Sequence, residues 1–242
     1  MGDLVNGCII VRQINEKNME GIDLSDFKSQ AIRGKLNINA TTFGRVLSII
    51  DFGNVNYWFE DDRMDIDGND IGADEKFSIS LKMLNDFLSC FSIKSRFYFG
   101  YDPNKNKSLG FIAVAERIFG NRNVITKPMQ FVKHYIKNNE ITTREINQNR
   151  DGKYILIPKC NFDVEISIDS VRLAENYDTI CLLSGDADFM ALAQYLKSGL
   201  DKKVVLIKSG FIKSEFYNLV DLVINAQDIK KYIAIKKQKS RP

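Results

Sequence analysis

From residue 45 onward, short apolar runs alternate with segments of helical spacing, and this alternation leaves the chain few folds to adopt. Residues 45–51 (RVLSIID) form a continuous apolar run that ends at an acid just before Gly53, which predicts a buried strand. The same reasoning predicts strands over 95–101 (SRFYFGY), 123–126, 153–157 (KYILI), 178–183 (DTICLL), 203–207 (KVVLI) and 222–225. Helical spacing predicts helices over 81–91, 107–119, 163–176, 188–200, 215–219 and 226–235. Strands separated by helices make βαβ units, and these build a parallel sheet covered on both faces. The expected class is therefore α/β, a three-layer α/β/α arrangement around a central, mostly parallel sheet. Such sheets place their sites outside the carboxyl ends of the strands, so the strand ends become a map of function.

The flanks do not follow the alternation. Residues 1–44 are expected to be an N-terminal extension, with a strand near 8–14 and a helix near 25–32. Residues 138–152 are polar and predict a loop or protruding hairpin. Residues 60–75 hold eight acids against Arg63 and predict a mobile acidic loop. Residues 229–242 are expected to be a basic tail, because Lys230 to Arg241 carry six basic residues and no acid. Net charge is +3, too small by itself to announce a polyanion partner. Lys127, Lys133, Arg144, Lys159 and the basic tail are the candidates for backbone phosphate contacts.

Several function classes are excluded. No apolar run approaches the roughly 18 residues that cross a bilayer, so no membrane partner is expected. The first residues lack the basic start of a signal peptide, and Asn6 occupies the position where myristoylation needs Ser or Thr. Cys8, Cys90, Cys160 and Cys181 form no C-x-x-C pair and have no nearby His134. A zinc site and a disulfide framework are therefore not expected, and a reducing cytoplasm is the expected compartment. No P-loop and no G-x-G-x-x-G is present. Asp65-x-Asp67-x-Asn69 opens like a calcium loop, but Asp70 stands where Gly is required and Lys76 where Glu is. A haloacid-dehalogenase phosphatase wants a second Asp two residues after Asp51, where Gly53 stands.

What remains are the acids at strand ends. Asp51 follows one central strand. Asp186 and Asp188 follow another, after Ser184 and Gly185. Asp163 opens the helix after Lys159-Cys160-Asn161-Phe162. Like charges brought together repel unless a cation neutralises them. Carboxylates without Cys or His are hard oxygen ligands, suited to Mg²⁺ or Mn²⁺. Such a cluster binds phosphate through the metal and activates water. Asn54, Asn56, Ser184 and Lys159 stand where they can bind substrate. The competing reading makes each Asp a turn residue or helix cap.

The strings SIIDFGNVN, KCNFDVEISIDSVRL and LLSGDADFMALAQYLKSG, in this order, resemble the NYN domains, a family related to the PIN-domain ribonucleases. The first is similar to the family's D-x-x-N element and the third to its S-G-D-x-D-F element. The second is similar to its K-G-x-D element, although Lys159 stands one residue further from Asp163 and the Gly is missing. The resemblance covers residues 45–228. It implies a PIN-like fold, with Asp51, Asp163, Asp186 and Asp188 as catalytic metal ligands. It also implies hydrolysis of RNA phosphodiester bonds by metal-activated water. Asp169 matches a further family Asp. Six residues beyond Asp163, it faces another side of the helix, which suggests a supporting role beside Lys159 or Arg172. The alternative is a catalytically inactive PIN-like module that binds RNA or regulates. A homodimer is compatible with either.

Overall fold

The computed structural model describes residues 24–65, 67–136 and 145–238. Its strands are β1 (Val46–Asp51), β2 (Glu75–Ile79), β3 (Ser92–Tyr101), β4 (Val124–Pro128), β5 (Gln130–Tyr135), β6 (Asn147–Asn149), β7 (Gly152–Lys159), β8 (Thr179–Leu183), β9 (Lys203–Lys208), β10 (Leu222–Asn225) and β11 (Ala234–Gln238). A six-stranded sheet runs in the order β10-β9-β8-β1-β3-β4, with every neighbouring pair parallel.

Each central strand is buried on both faces, which is why its sequence is continuously apolar rather than alternating. Successive side chains still point to opposite faces and feed two separate cores. Val46 and Ile50 of β1, Cys181 and Leu183 of β8, and Val205 and Ile207 of β9 join one cluster. Helices Leu24–Leu36, Leu81–Leu88, Asn106–Phe119 and Ala226–Ile233 cover it, through residues such as Ile32, Leu84, Phe119 and Ile229. Leu47, Ile49, Ile180, Leu182, Val204 and Leu206 point the other way. Helices Asp163–Arg172, Met190–Leu200 and Ser214–Leu219 close that face with Ile166, Leu196 and Phe216. Burial of each such side chain is worth about 1.5–3 kcal/mol, so two dry layers stabilise the sheet from both sides. The result is the expected three-layer α/β/α fold.

The strand order carries the functional consequence. From β1 the chain steps outward to β3 and β4, then returns to lay β8 on the other side of β1 and continues outward to β9 and β10. The direction of winding therefore reverses between β1 and β8. A crevice opens outside the carboxyl ends of the strands at such a switch point.

Several expectations need correction. Where a basic tail was expected, helix Ala226–Ile233 stops and β11 begins. The Ser80 N–H takes the Ile233 carbonyl, and β11 pairs antiparallel with β2 over Ala234–Gln238. Lys230, expected to contact phosphate, is only 5% exposed. Its ammonium pairs with Asp62 at 2.7 Å, donates to the Met64 carbonyl at 2.9 Å and lies 3.7 Å from the centre of the Phe77 ring. A buried cation needs such partners, and they anchor the acidic segment expected to be mobile. Arg63 and Ile71 form a backbone hydrogen bond within that segment, and Met64 bridges Asp70. Lys127 is likewise committed, to Glu165 at 2.6 Å. Of the loop or protruding hairpin expected near residues 138–152, the hairpin is found: β6 turns into β7. β5, β7 and β6 form their own antiparallel sheet beside the central one. The expected strand at 8–14, Arg144 and the last residues of the tail lie outside the described residues. Among the described residues, no helix is long and apolar enough to cross a membrane.

Candidate metal centre

Three chain segments bring acids to the crevice. β1 ends in Asp51 and turns at once into the short helix Phe52–Val55. β8 ends at Leu183, and Ser184-Gly185-Asp186 lead into a 3₁₀ turn, Ala187–Phe189, that contains Asp188. β7 ends at Lys159, and the chain crosses to Asp163, the first residue of its helix. Carboxylate oxygens of Asp163, Asp186 and Asp188 all lie within 4.8 Å of one another. Asp51 is outside that trio. It lines the same cavity, of about 350 Å³, together with Asn54, Lys159, Asn161, Asp163 and Asp186. Asp188, expected as the fourth acid, thus belongs to the tightest set, and Asp51 stands beside it.

Local hydrogen bonds explain how the acids are aimed. Asp163 does not cap its helix, since the cap position is Phe162. The Asp163 N–H donates to Asn161 Oδ1, and Asn161 Nδ2 donates back to Asp163 Oδ2, both at 2.7 Å. Asp186 does act as a cap, because its Oδ1 accepts the Asp188 N–H at 2.9 Å. The capping and ligand readings are therefore compatible for Asp186, since one oxygen caps while the carboxylate remains within the acidic trio.

Two residues lock β1 to β8. Ser184 Oγ donates to Asp51 Oδ2 at 3.0 Å and accepts the Asp186 N–H at 3.2 Å. Asn54 Oδ1 accepts both Trp58 Nε1–H at 3.0 Å and Gly185 N–H at 3.1 Å. With its oxygen fixed by two donors, the Asn54 amide orientation is determined, and Nδ2 is the end left for other partners. Here the expected substrate contacts divide. Asn54 and Lys159 line the cavity. Ser184 is fully buried, and its hydroxyl is engaged by Asp51 on one side and the Asp186 N–H on the other. Asn56 follows helix Phe52–Val55, points to solvent and does not line the cavity.

Burial, and to a lesser degree the neighbouring acids, disfavour the charged forms of two of these carboxyls. Asp51 is pushed up to about 6, first by burial, against the pull of the Ser184 hydroxyl, with the charges of Asp163 and Asp186 adding to the rise. Asp163 is raised too, by burial and by Asp186 and Asp188. In metal-free protein this has a signed consequence. Unfolded Asp titrates near 3.9. Between that value and about 6, native Asp51 keeps a proton that the unfolded chain has released. Stability from this group must then fall as pH rises from about 4 to about 6, by roughly 3 kcal/mol, and level off above. Urea unfolding in EDTA at pH 4 and pH 7 measures it. Asp51→Asn should lack this part of the pH dependence, and an identical slope in both proteins would show that the raised titration is wrong.

Asp169 stands apart from the cavity. It is buried, and it accepts hydrogen bonds from Tyr98, Arg96 and Arg172. Of its two expected partners, Arg172 is present and Lys159 is not. Arg96 and Trp58 were missed in the sequence. An Arg inside an apolar strand was the available signal for the first.

Comparison with known proteins decides the family. The model of the family described as NYN domain matches residues 82–227, more than half of the chain. The chain belongs to the NYN domain family. The matched span contains Asp163, Asp186 and Asp188, while Asp51 and Asn54 precede it. This NYN domain protein is also similar to low amplitude and bright protein LabA of Synechococcus elongatus, 36% identical over 75 residues. That match spans 31% of this chain and 40% of the relative's length. A crystal structure of a Vibrio parahaemolyticus protein of unknown function shares the fold, with a TM-score of 0.51 at 17% identity, covering 78% of this chain and 95% of that one.

Proposed function

We propose that this NYN domain protein is a Mg²⁺- or Mn²⁺-dependent ribonuclease that hydrolyses RNA phosphodiester bonds at its aspartate cluster. The observation that carries the reading is the convergence of Asp163, Asp186 and Asp188 within 4.8 Å, with Asp51 lining a cavity together with Asp163 and Asp186. Three carboxylates so close fit a hard divalent cation, because each supplies oxygen and, among the described residues, none of the four acids has a basic side chain hydrogen-bonded to it. Asp163, Asp186 and Asp188 would hold the ion, with Asp51 as the acid at its side. A divalent cation bound there supplies Lewis acidity toward a phosphate oxygen and makes water a better nucleophile.

The chain's own groups do the remaining work. Asn54 Nδ2, aimed by Trp58 and Gly185, donates to a phosphate oxygen. Lys159, at the mouth of the cavity, offsets charge on the scissile phosphate. Ser184 keeps the Asp51 carboxylate in place through the β8 loop. The carboxylates alone supply no Lewis acid, which makes the proposed activity dependent on added metal.

The test is cleavage of a labelled RNA with and without Mn²⁺, wild type beside Asp51→Asn. Metal-dependent cleavage that is strongly reduced in the variant is expected. Cleavage in EDTA, or equal cleavage by the two proteins, would refute the reading.

A further inference from the structure

Past β9 the chain makes a turn at the carboxyl edge of the sheet, one strand away from the loop that carries Asp186 and Asp188. Gly210 takes a left-handed φ of 67°, and the Lys208 ammonium donates to its carbonyl. The turn is tied to the acid-bearing side of the molecule: Ser184 N–H donates to the Ile207 carbonyl at 3.2 Å, and Ser209 Oγ donates to the Trp58 carbonyl at 3.3 Å. At its tip Phe211 is 89% exposed.

A lone exposed ring is ordinary. This one is not alone. With Tyr217, itself 56% exposed, and Lys208 it lines a cavity of about 350 Å³. A second cavity, of about 480 Å³, shares Asn218 with the first and extends to Met190, two residues beyond Asp188. The two cavities meet at Asn218 and make a trough beside the rings, its far end at Met190 close in sequence to Asp188.

We propose that this trough is a subsite for an unpaired nucleobase of a single-stranded RNA, stacked on Phe211 and Tyr217, with the flanking phosphates beside Lys208 and Lys213. The assignment rests on the ribonuclease reading for the position of the cleaved bond. Aromatic faces stack on any base, but only an unpaired base offers its own face, so the subsite selects single strands over duplex. Lys208 on the wall and the exposed Lys213, two residues beyond Phe211, favour a polyanion over an apolar peptide, and among the described residues Glu215 is the one acid lining either cavity. The location adds to this, because the turn lies at the sheet's carboxyl edge one strand from the loop that carries Asp186 and Asp188.

Binding is measured in EDTA, where no cleavage occurs, with a single-stranded oligoribonucleotide carrying one 2-aminopurine. Wild type should quench the probe. Phe211→Ala should lose the quench and bind about tenfold more weakly, Phe211→Trp should restore both, and a hairpin duplex should bind both proteins alike. Phe211 is exposed, so the variants should melt as wild type does. Unchanged affinity and quench in Phe211→Ala would overturn the proposal, as would absence of quench in wild type. Conversion of a dimer to a monomer by Phe211→Ala in sedimentation would overturn it too, because the trough would then hold a second copy of the chain. Loss of Mn²⁺-dependent cleavage in wild type would instead defeat the ribonuclease reading and leave the stacking result standing.

Discussion

Asp186→Asn should lower Mn²⁺-dependent RNA cleavage on the order of a hundredfold or more, while the melting temperature in EDTA stays the same or rises. The substitution keeps the shape and the oxygen that accepts the Asp188 N–H, and Asn caps a helix about as well as Asp. What it removes is a charge facing Asp163 and Asp51. In the absence of metal, that removal relieves repulsion. In the presence of metal, it takes away a ligand. If Asp186 only capped its turn, neither activity nor melting would move. Steady-state cleavage and thermal unfolding on the same preparation separate the cases, and a variant as active as wild type would sink the proposed site.

The largest stability effect is expected far from that cavity. Asp169 is 7% exposed and Arg96 8% exposed, and the two pair across β3 and helix Asp163–Arg172. Tyr98 adds a hydrogen bond to the same carboxylate at 2.7 Å. Removing one partner of a buried ion pair strands the other charge and costs about 3–5 kcal/mol. Asp169→Ala should therefore lose about that much in urea unfolding, since the Arg96 guanidinium and the Tyr98 hydroxyl are both left in a dry layer. The triple variant Arg96→Met, Tyr98→Phe, Asp169→Leu should recover most of the loss, because it leaves neither a buried charge nor an unpaired hydroxyl. A single variant within 1 kcal/mol of wild type, as a surface pair would give (about 0–1 kcal/mol), would mean that Asp169 is solvated.

The parts of this fold that were legible in the sequence are those whose signal is local. β1, β8 and β9 are buried on both faces, so VLSIID, TICLL and VVLI announce themselves as uninterrupted apolar runs. Asp51 was legible for the same reason, as the first acid after its run, and Asp186 follows its own run at a distance of only two residues, Ser184 and Gly185. β2 and β11 were not. EKFSI and AIKKQ are short and half polar, and they become strands only by pairing with each other across more than 150 residues. The same holds for Lys230, which reads as one more basic residue until Asp62 and Phe77 are brought to it. Arg96 and Asp169 lie 73 residues apart, and no spacing rule joins them. The acids were also legible as a set, but not their grouping. That Asp188 joins Asp163 and Asp186 while Asp51 stands to the side is decided by the 3₁₀ turn after Gly185. The Asn54 strut depends on Trp58 folding back over one turn, a contact that no sequence motif marks.

The central claim is that these carboxylates hold one divalent cation. The most direct measurement is a crystal of the wild-type chain soaked in Mn²⁺, with anomalous diffraction recorded at the manganese edge. The account predicts an anomalous peak among the carboxylates of Asp163, Asp186 and Asp188, about 2.0–2.3 Å from the ligating oxygens, and its loss in Asp186→Asn crystals. Manganese bound elsewhere, with that trio empty at saturating concentration, would contradict it.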